Sequence, residues 1–491
     1  MPASTPRPRV TPVPCDPHDP LGLAADAPLL AAWLDWMQRA AAGTLTPMST
    51  PGHKQRQDLT GAVVAGDAPL YGGLAAIKHA DQLLADAEAR AAALWGADWC
   101  RFSVAGSTHG NQAFCLALGQ PGQEVIITRT LHRSLLLGLV LAGLRPVWVR
   151  PDIDPRSGLP AAVAVRTVRD ALAAHPGACG VILGDPSYVG TTGDLAGHAA
   201  AAHEAGVPLI IDAAWAAYLG FHPGLPPHAI AAGADALVTS AHKTLPAYTQ
   251  GALLLARTER LDAARLNRAF EATHTTSPTG SILASIDAAR ALLARDGPWL
   301  CARLLRGVAA TRRRLREVPG LDVLDGPGVD PAKLVVLLAG TGANGSLVEA
   351  DLISAGMPVE MGDRDTVIPI PTIADDEERL AAFTETLIAS IERHRAAPRR
   401  PAAAAAWTVR PQTVLSPREA FFAKNETVTA IAAIGRVSAE LVAPYPPGVP
   451  VLAPGELITE EALAALREVA ADGGRIAYAA DSSLETFQVV A

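Results

Sequence analysis

Five short apolar runs between residues 124 and 243 constrain this fold more than any other feature of the chain. EVIITR (124–129), PVWVR (146–150), GVILGDPS (180–187), VPLIIDAAW (207–215) and ADALVTSAHK (234–243) each read as a buried strand, and the last three run into a polar turn. Helical stretches separate them, among them LLLGLVLAG (135–143). Strands alternating with helices imply βαβ units and a mostly parallel sheet. In such sheets a ligand sits at the carboxyl ends of the strands. Asp185, Asp212 and Ser240 to Lys243 fall there.

The flanks extend this reading. Leu23, Leu29, Leu30, Trp33, Leu34 and Met37 recur at helical spacing and predict a helix over 22–42 that stops at Gly43. A second helix is expected over 74–96, and a long connecting helix near 285–315. LDVLDGP, KLVVLLAG and TVIPIP suggest a smaller α/β unit. The Pro/Ala-rich stretch 394–407 reads as a linker or extended crossing. The expected organisation is an arm and helix (1–55), a large domain (56–315), a small α/β domain (316–393), a linker (394–412) and a C-terminal α+β domain (413–491). The Pro-rich start, MPASTPRPRVTPVPCDPHDP, lacks the apolar stretch of a signal peptide and is expected to form a flexible arm.

Composition removes several functional classes. The 491 residues carry 41 Lys+Arg against 49 Asp+Glu, a net charge of −8, which argues against a general nucleic-acid binder. The most apolar run, 135–149, is broken by Arg145 and Pro146 and is too short to span a bilayer, so no membrane role is expected. Cys15, Cys100, Cys115, Cys179 and Cys301 are scattered and never in CxxC spacing. They read as reduced thiols of a cytoplasmic protein, not as a disulfide frame or a metal site. Lysine stands only at 54, 78, 243, 333 and 424, so lysine-dependent chemistry has five candidates.

The segment SAHKTLPAYTQGALL (240–254) carries the strongest local signal. A lysine directly after a buried strand sits in a pocket, where desolvation lowers its pKa and makes it a usable amine nucleophile. A surface lysine in a turn is the plainer alternative. Asp212 ends a buried strand, and a carboxylate there needs a cation or donors; a protonated pyridine nitrogen is one such partner and a structural ion pair another. One further βαβ step separates Asp212 from Lys243, which places both at one edge of the sheet. AGSTHGNQA (105–113) is a Gly/Ser/Thr turn opening a helix, suited to a phosphate or, more simply, to N-capping by Ser107 or Thr108.

A phosphate cup, a strand-end Asp and a later Ser-x-His-Lys occur here in the chain order of fold type I pyridoxal-phosphate enzymes. From about residue 45 onward the sequence resembles the Orn/Lys/Arg decarboxylase family in its short form, without an N-terminal wing domain. STPGHKQ (49–55), GSTHGNQA (106–113), TRTLHRSLLLGLVLAG (128–143), DPSYVGTTGDL (185–195), DAAWAAYLGFHP (212–223) and PYPPGVPVLAPGE (444–456) resemble six family motifs, in the family's order. Two positions depart mildly: Ala213 stands where relatives often carry an acidic or hydroxylic residue, and LHRS replaces the more common HKS.

The resemblance implies an aspartate-aminotransferase-like large domain and pyridoxal 5′-phosphate as cofactor. It makes Lys243 the lysine that bonds the cofactor aldehyde, and Asp212 the partner of the pyridinium nitrogen. His132 stacks on one ring face, Ala214 packs on the other, and Trp215 approaches the ring hydroxyl. Ser107, Thr108, Ser240 and His242 hold the phosphate, with His242 or Lys243 as proton donor. Ser277, in TTSP (275–278), reaches the phosphate of a neighbouring subunit, which implies a homodimer or higher homo-oligomer with sites at the interface. The implied reaction is decarboxylation of a basic L-amino acid, arginine first, then lysine or ornithine, to agmatine or a diamine in polyamine biosynthesis. Glu456 is the candidate partner of the substrate's distal cation. Two other outcomes stay open: a same-fold enzyme that breaks another bond (aminotransferase, lyase or oxidative deaminase), and a non-catalytic regulatory homologue.

Overall fold

The computed structural model describes residues 19–44, 50–51, 53–54, 57–60, 64–68, 80–401, 408–445, 449–471 and 474–491. The expected N-terminal arm, much of STPGHKQ, residues 402–407 of the expected linker and residues 446–448 of the PYPPG stretch lie outside the described residues.

A seven-stranded sheet forms the centre. Its strands are β1 (Trp99–Ser103), β2 (Glu124–Thr128), β3 (Arg145–Val149), β4 (Val181–Gly184), β5 (Leu209–Asp212), β6 (Ala236–Ser240) and β7 (Ala252–Ala256), in the order β1-β7-β6-β5-β4-β2-β3. β2 through β6 pair in parallel, while β7 runs antiparallel to both β1 and β6. Ile126, Ile127, Ile210, Ile211 and Leu254 are almost wholly buried. Each such side chain contributes about 1.5–3 kcal/mol on leaving water. β1 and β7 escape the sequence reading: β1 carries Arg101 in its middle, and β7 begins within the segment singled out for its lysine.

Helices α1 (Pro28–Ala41), α2 (Ala80–Trp95), α3 (Gly106–Leu118) and α4 (Arg133–Ala142) precede the 37-residue helix α5 (Gly280–Arg316). α1 docks on α5, where the buried Asp287 carboxylate accepts the Leu29 N–H at 3.0 Å and pairs with Arg290. α3 lies close on the sheet because residue 110 is glycine: a Cβ there would stand 2.5 Å from a Val238 methyl. This approach seats the start of α3 over the ends of β5 and β6. No helix among the described residues is long and apolar enough to cross a membrane.

α5 leads to a four-stranded sheet, β8 (Asp322–Val323), β9 (Val336–Leu337), β10 (Met361–Gly362) and β11 (Thr366–Ile368), ordered β10-β11-β9-β8 and antiparallel throughout. The start of the expected linker hugs this unit, with Arg399 hydrogen-bonded to Asp365 and to the Gly342 and Ala343 carbonyls. The C-terminal unit has two strand pairs, β12 (Asn425–Thr429) with β15 (Thr486–Val490) and β13 (Ala443–Tyr445) with β14 (Arg475–Ala477), around its own core. It grips the segment between β2 and the end of α4 at two points. Arg129 forms a buried pair with Glu456, and Arg418 Nη1 caps the last carbonyls of α4, those of Val140 and Leu141, at 2.9 and 3.0 Å.

Candidate active site

The carboxyl ends of β4, β5 and β6 and the start of α3 surround a cavity of about 430 Å³. Ser107, Thr108, His132, Asp212, Ala214, Trp215, Ser240, His242 and Lys243 all line it. The fold therefore brings nine of the sequence-derived site residues to one place.

The α3 end of this cavity suits an oxyanion. The residue before the helix is Ala105, which offers no side-chain cap, and Gly106 takes a left-handed backbone conformation. Ser107 and Thr108 thus stand inside the first turn and do not cap it; the Gly106 N–H goes to the Gln250 carbonyl at 2.8 Å, and no side chain caps the amides that follow. Ser107 Oγ and Ser240 Oγ, from opposite sides of the cavity, meet at 2.7 Å.

Asp212 is buried at the end of β5. One of its oxygens accepts the Ala214 N–H at 3.2 Å, the other the Asn111 amide at 2.8 Å. The second Asn111 proton goes to Ser134 Oγ at 2.8 Å, and the Ser134 hydroxyl donates to His132 Nδ1 at 2.7 Å. His132 Nδ1 also accepts the Ser134 N–H, as the cap of α4. Its ring is thereby assigned as the Nε2–H tautomer. Burial, which outweighs the attraction of Asp212, lowers the pKa of His132. The neutral ring stands open to the cavity, as a stacking partner for a flat aromatic group requires.

Asn111 and Ser134 were not read from the sequence. A signal existed: Asn111 lies four residues after Ser107 on α3, so both project from one helix face.

Lys243 Nζ lies 3.8 Å from the centroid of the Trp215 ring. Its pKa is lowered chiefly by burial, against the pull of Asp212 and Glu360. A buried amine of this kind suits the nucleophilic role expected from the sequence. His242 lines the cavity with Nδ1 tied to the Gly251 carbonyl at 3.0 Å. Burial lowers its pKa too. With Nδ1–H donated to a carbonyl, the neutral ring offers Nε2 only as an acceptor. This geometry disfavours His242 as the expected proton donor.

Two expected residues lie elsewhere. Glu456 is 1 % exposed and forms a two-pronged pair with Arg129, at 2.5 and 2.8 Å, while also accepting the Ala453 N–H at 2.8 Å. With its oxygens committed and no path to solvent, it cannot meet a substrate cation; it is a structural group. Ser277 is exposed and outside the cavity of its own chain. Its loop is anchored by Thr279, whose hydroxyl donates to Asp67 at 2.6 Å, and Asp67 also binds His53 at 3.1 Å. His53, from the TPGHK stretch, is thus linked through Asp67 to the Ser277 loop.

A lysine amine, a strand-end carboxylate, a histidine face and an oxyanion cup on this sheet define a pyridoxal-phosphate enzyme of fold type I. The residues fit that cofactor in charge and in donor set. The comparisons narrow the class. Residues 71–333 match the family model described as Orn/Lys/Arg decarboxylase, major domain, and residues 401–471 match its C-terminal domain. The arginine decarboxylase of Halalkalibacterium halodurans is 31 % identical, over 90 % of this chain and 93 % of that protein. The arginine decarboxylase of Bacillus subtilis is 31 % identical, over 84 % and 85 %. The crystal structure of a lysine decarboxylase from Francisella novicida superposes with a TM-score of 0.78 at 18 % identity, covering 95 % of this chain and 81 % of the other. The chain belongs to the Orn/Lys/Arg decarboxylase family.

Proposed function

We propose that this protein removes the α-carboxylate of a basic L-amino acid, with arginine as its first substrate. The observation that carries the reading is the convergence of Lys243 and Asp212 on one cavity, with His132 linked to Asp212 through Asn111 and Ser134. Pyridoxal phosphate, when bound, supplies the electron sink for the bond that breaks. Lys243 holds the cofactor and moves a proton at the substrate's Cα, a task for which burial keeps its amine accessible in the neutral form. Asp212 would meet the cofactor's ring nitrogen with its carboxylate. Ser107, Thr108 and Ser240 hold the phosphate beside the start of α3. The choice of arginine is supported by the names of relatives 31 % identical along most of the chain.

With Glu456 committed elsewhere, a different acid must meet the distal cation. Asp212 is the only carboxylate among the described residues lining the cavity. Glu360, whose Oε1 accepts the hydroxyl of the cavity residue Tyr188 at 3.5 Å, is the acid we assign to that role. We further propose a homodimer in which Ser277 completes the neighbouring site; its exposed position outside its own cavity supports this. The unpaired Cys100, Cys115, Cys179 and Cys301 support a cytoplasmic location.

The test is carbon dioxide release from L-arginine, L-lysine and L-ornithine in parallel, on protein whose visible absorbance shows bound cofactor. Release from arginine, one for each amine formed, is the expected result. A visible band with conversion but no carbon dioxide replaces this reading with transamination, elimination or oxidative deamination. A band with no turnover of any of the three directs it to another substrate or to a non-catalytic homologue.

A further inference from the structure

The site described so far leaves one buried charge unused. Lys333 is 5 % exposed, and its Nζ has no hydrogen-bond partner among the described residues. A buried amine without a partner costs free energy that an apolar side chain of the same length avoids. The loop carrying it is nevertheless held firmly. Asp330 N–H binds the Gly190 carbonyl at 2.8 Å, Thr192 N–H binds the Gly328 carbonyl at 2.8 Å, and Arg312 donates to the Lys333 carbonyl. Gly190 makes room for the side chain, since a Cβ there would stand 2.5 Å from Lys333 Cγ. Gly190, at the end of the DPSYVG stretch, is thus fitted to this lysine.

The Lys333 ammonium points at the active site. Its Nζ lies 4.3 Å from the centroid of the Trp215 ring and 5.5 Å from that of Tyr188. The same Trp215 ring has Lys243 Nζ at 3.8 Å. Both amines therefore contact one indole. Trp215 is in turn locked edge-on against Tyr188, with ring centroids 5.5 Å apart. An ammonium this close to an indole attracts it, most strongly where water is excluded.

We propose that Lys333 is a positioning residue of the active site: its ammonium holds the Trp215 indole in place beside Lys243, and its charge opposes a second positive charge on Lys243. This deepens the proposed function and rests on Lys243 as the cofactor lysine. The other ionisable groups facing Lys333 do not cancel its charge. Asp330, on its own loop, attracts it but is engaged by the Tyr218 hydroxyl and the Ala332 N–H. Burial raises the Asp330 pKa, and the Asp330 charge adds to the burial that raises that of Asp185. Arg312, from α5, is a further cation. Glu360, just before β10, is exposed, and its attraction falls on Lys243 as well. Burial brings the pKa of Lys333 down to about 8, so it carries its proton at neutral pH and loses it in mild base.

The test is a pH titration of the visible absorbance of cofactor-loaded wild type, Lys333→Met and Lys333→Arg. In Lys333→Met the midpoint rises by roughly 0.5 to 1 unit, the effect of removing one like charge that shares the Trp215 ring with Lys243. Lys333→Arg restores the wild-type midpoint. An unchanged midpoint in Lys333→Met, with its band intact, overturns the inference and leaves the cofactor assignment standing. Absence of a band in wild type removes both. Should Lys333→Met fail to fold, Lys333→Gln takes its place in the same titration: a raised midpoint is expected, and an unchanged midpoint with the band intact overturns the inference.

Discussion

The guanidinium of Arg129 and the carboxylate of Glu456 meet through two hydrogen bonds, at 2.5 and 2.8 Å, with both side chains 1 % exposed. Arg129 Nε and Nη2 also donate to the Pro450 and Val451 carbonyls, and the guanidinium lies 4.7 Å from the Trp148 ring centroid. His132 follows three residues later. The C-terminal unit therefore fixes the start of the segment that presents His132 to the cavity, while Arg418 fixes its end.

Removing one partner of a buried pair strands the other charge, at a cost of about 3–5 kcal/mol. Glu456→Ala should therefore lower the thermal unfolding temperature markedly. In whatever fraction stays folded, the KM for substrate should stay near the wild-type value. A stable Glu456→Gln protein with a greatly raised KM is the result that would return Glu456 to the substrate site.

Lys243→Ala should keep its fold, because the side chain is half-buried at the cavity wall and makes no hydrogen bond on which the sheet depends. It should lose both turnover and the visible band of lysine-bound cofactor. Circular dichroism and an absorbance spectrum check this together; a normal band in the variant excludes Lys243 as the attachment point.

Asn111→Leu removes the amide that joins Asp212 to Ser134 and hence to His132. Loss of one buried hydrogen bond to a carboxylate should cost about tenfold in turnover. The check is steady-state kinetics beside cofactor titration. Wild-type rates in a folded Asn111→Leu protein mean that Asp212 and His132 are oriented independently.

Glu360→Gln should raise the KM for arginine roughly tenfold, the worth of a charge-assisted hydrogen bond at a partly exposed site. The visible band should still form. An unchanged KM places the distal cation against another acid, such as one from a partner subunit.

Burial raises the Asp185 carboxyl from 3.8 to about 7, outweighing the bond it accepts from the Gly193 N–H at 2.6 Å. The folded protein thus keeps a proton that the unfolded chain releases near pH 4, and this contribution to stability is lost as pH rises towards 7. Asn at this position accepts the same N–H and never ionises. Asp185→Asn should therefore melt above wild type, by a margin that widens from pH 5 to pH 8. A margin that stays constant or narrows means that Asp185 has a cationic partner when folded.

The alternating strands and helices, the positions of Asp212 and Lys243 at strand ends, and the phosphate-cup turn were legible in the sequence. Each depends on local periodicity or on residues within one turn of one another. The chain also displays its family, because the six motifs are short and contiguous. What the sequence leaves open depends on distance along the chain. Glu456 reads as an acid in a functional motif, but it spends its charge on Arg129, 327 residues away. Asn111 reads as an ordinary helix residue until β5 brings Asp212 to its amide, 101 residues later. Lys333 is one of five lysines until the folding of its loop under Gly190 sets its ammonium beside Trp215. A side chain's type sets which interactions it can make, and that much is local. Which partner it finds, and whether water is present when it does, is settled only when distant segments pack and exclude solvent.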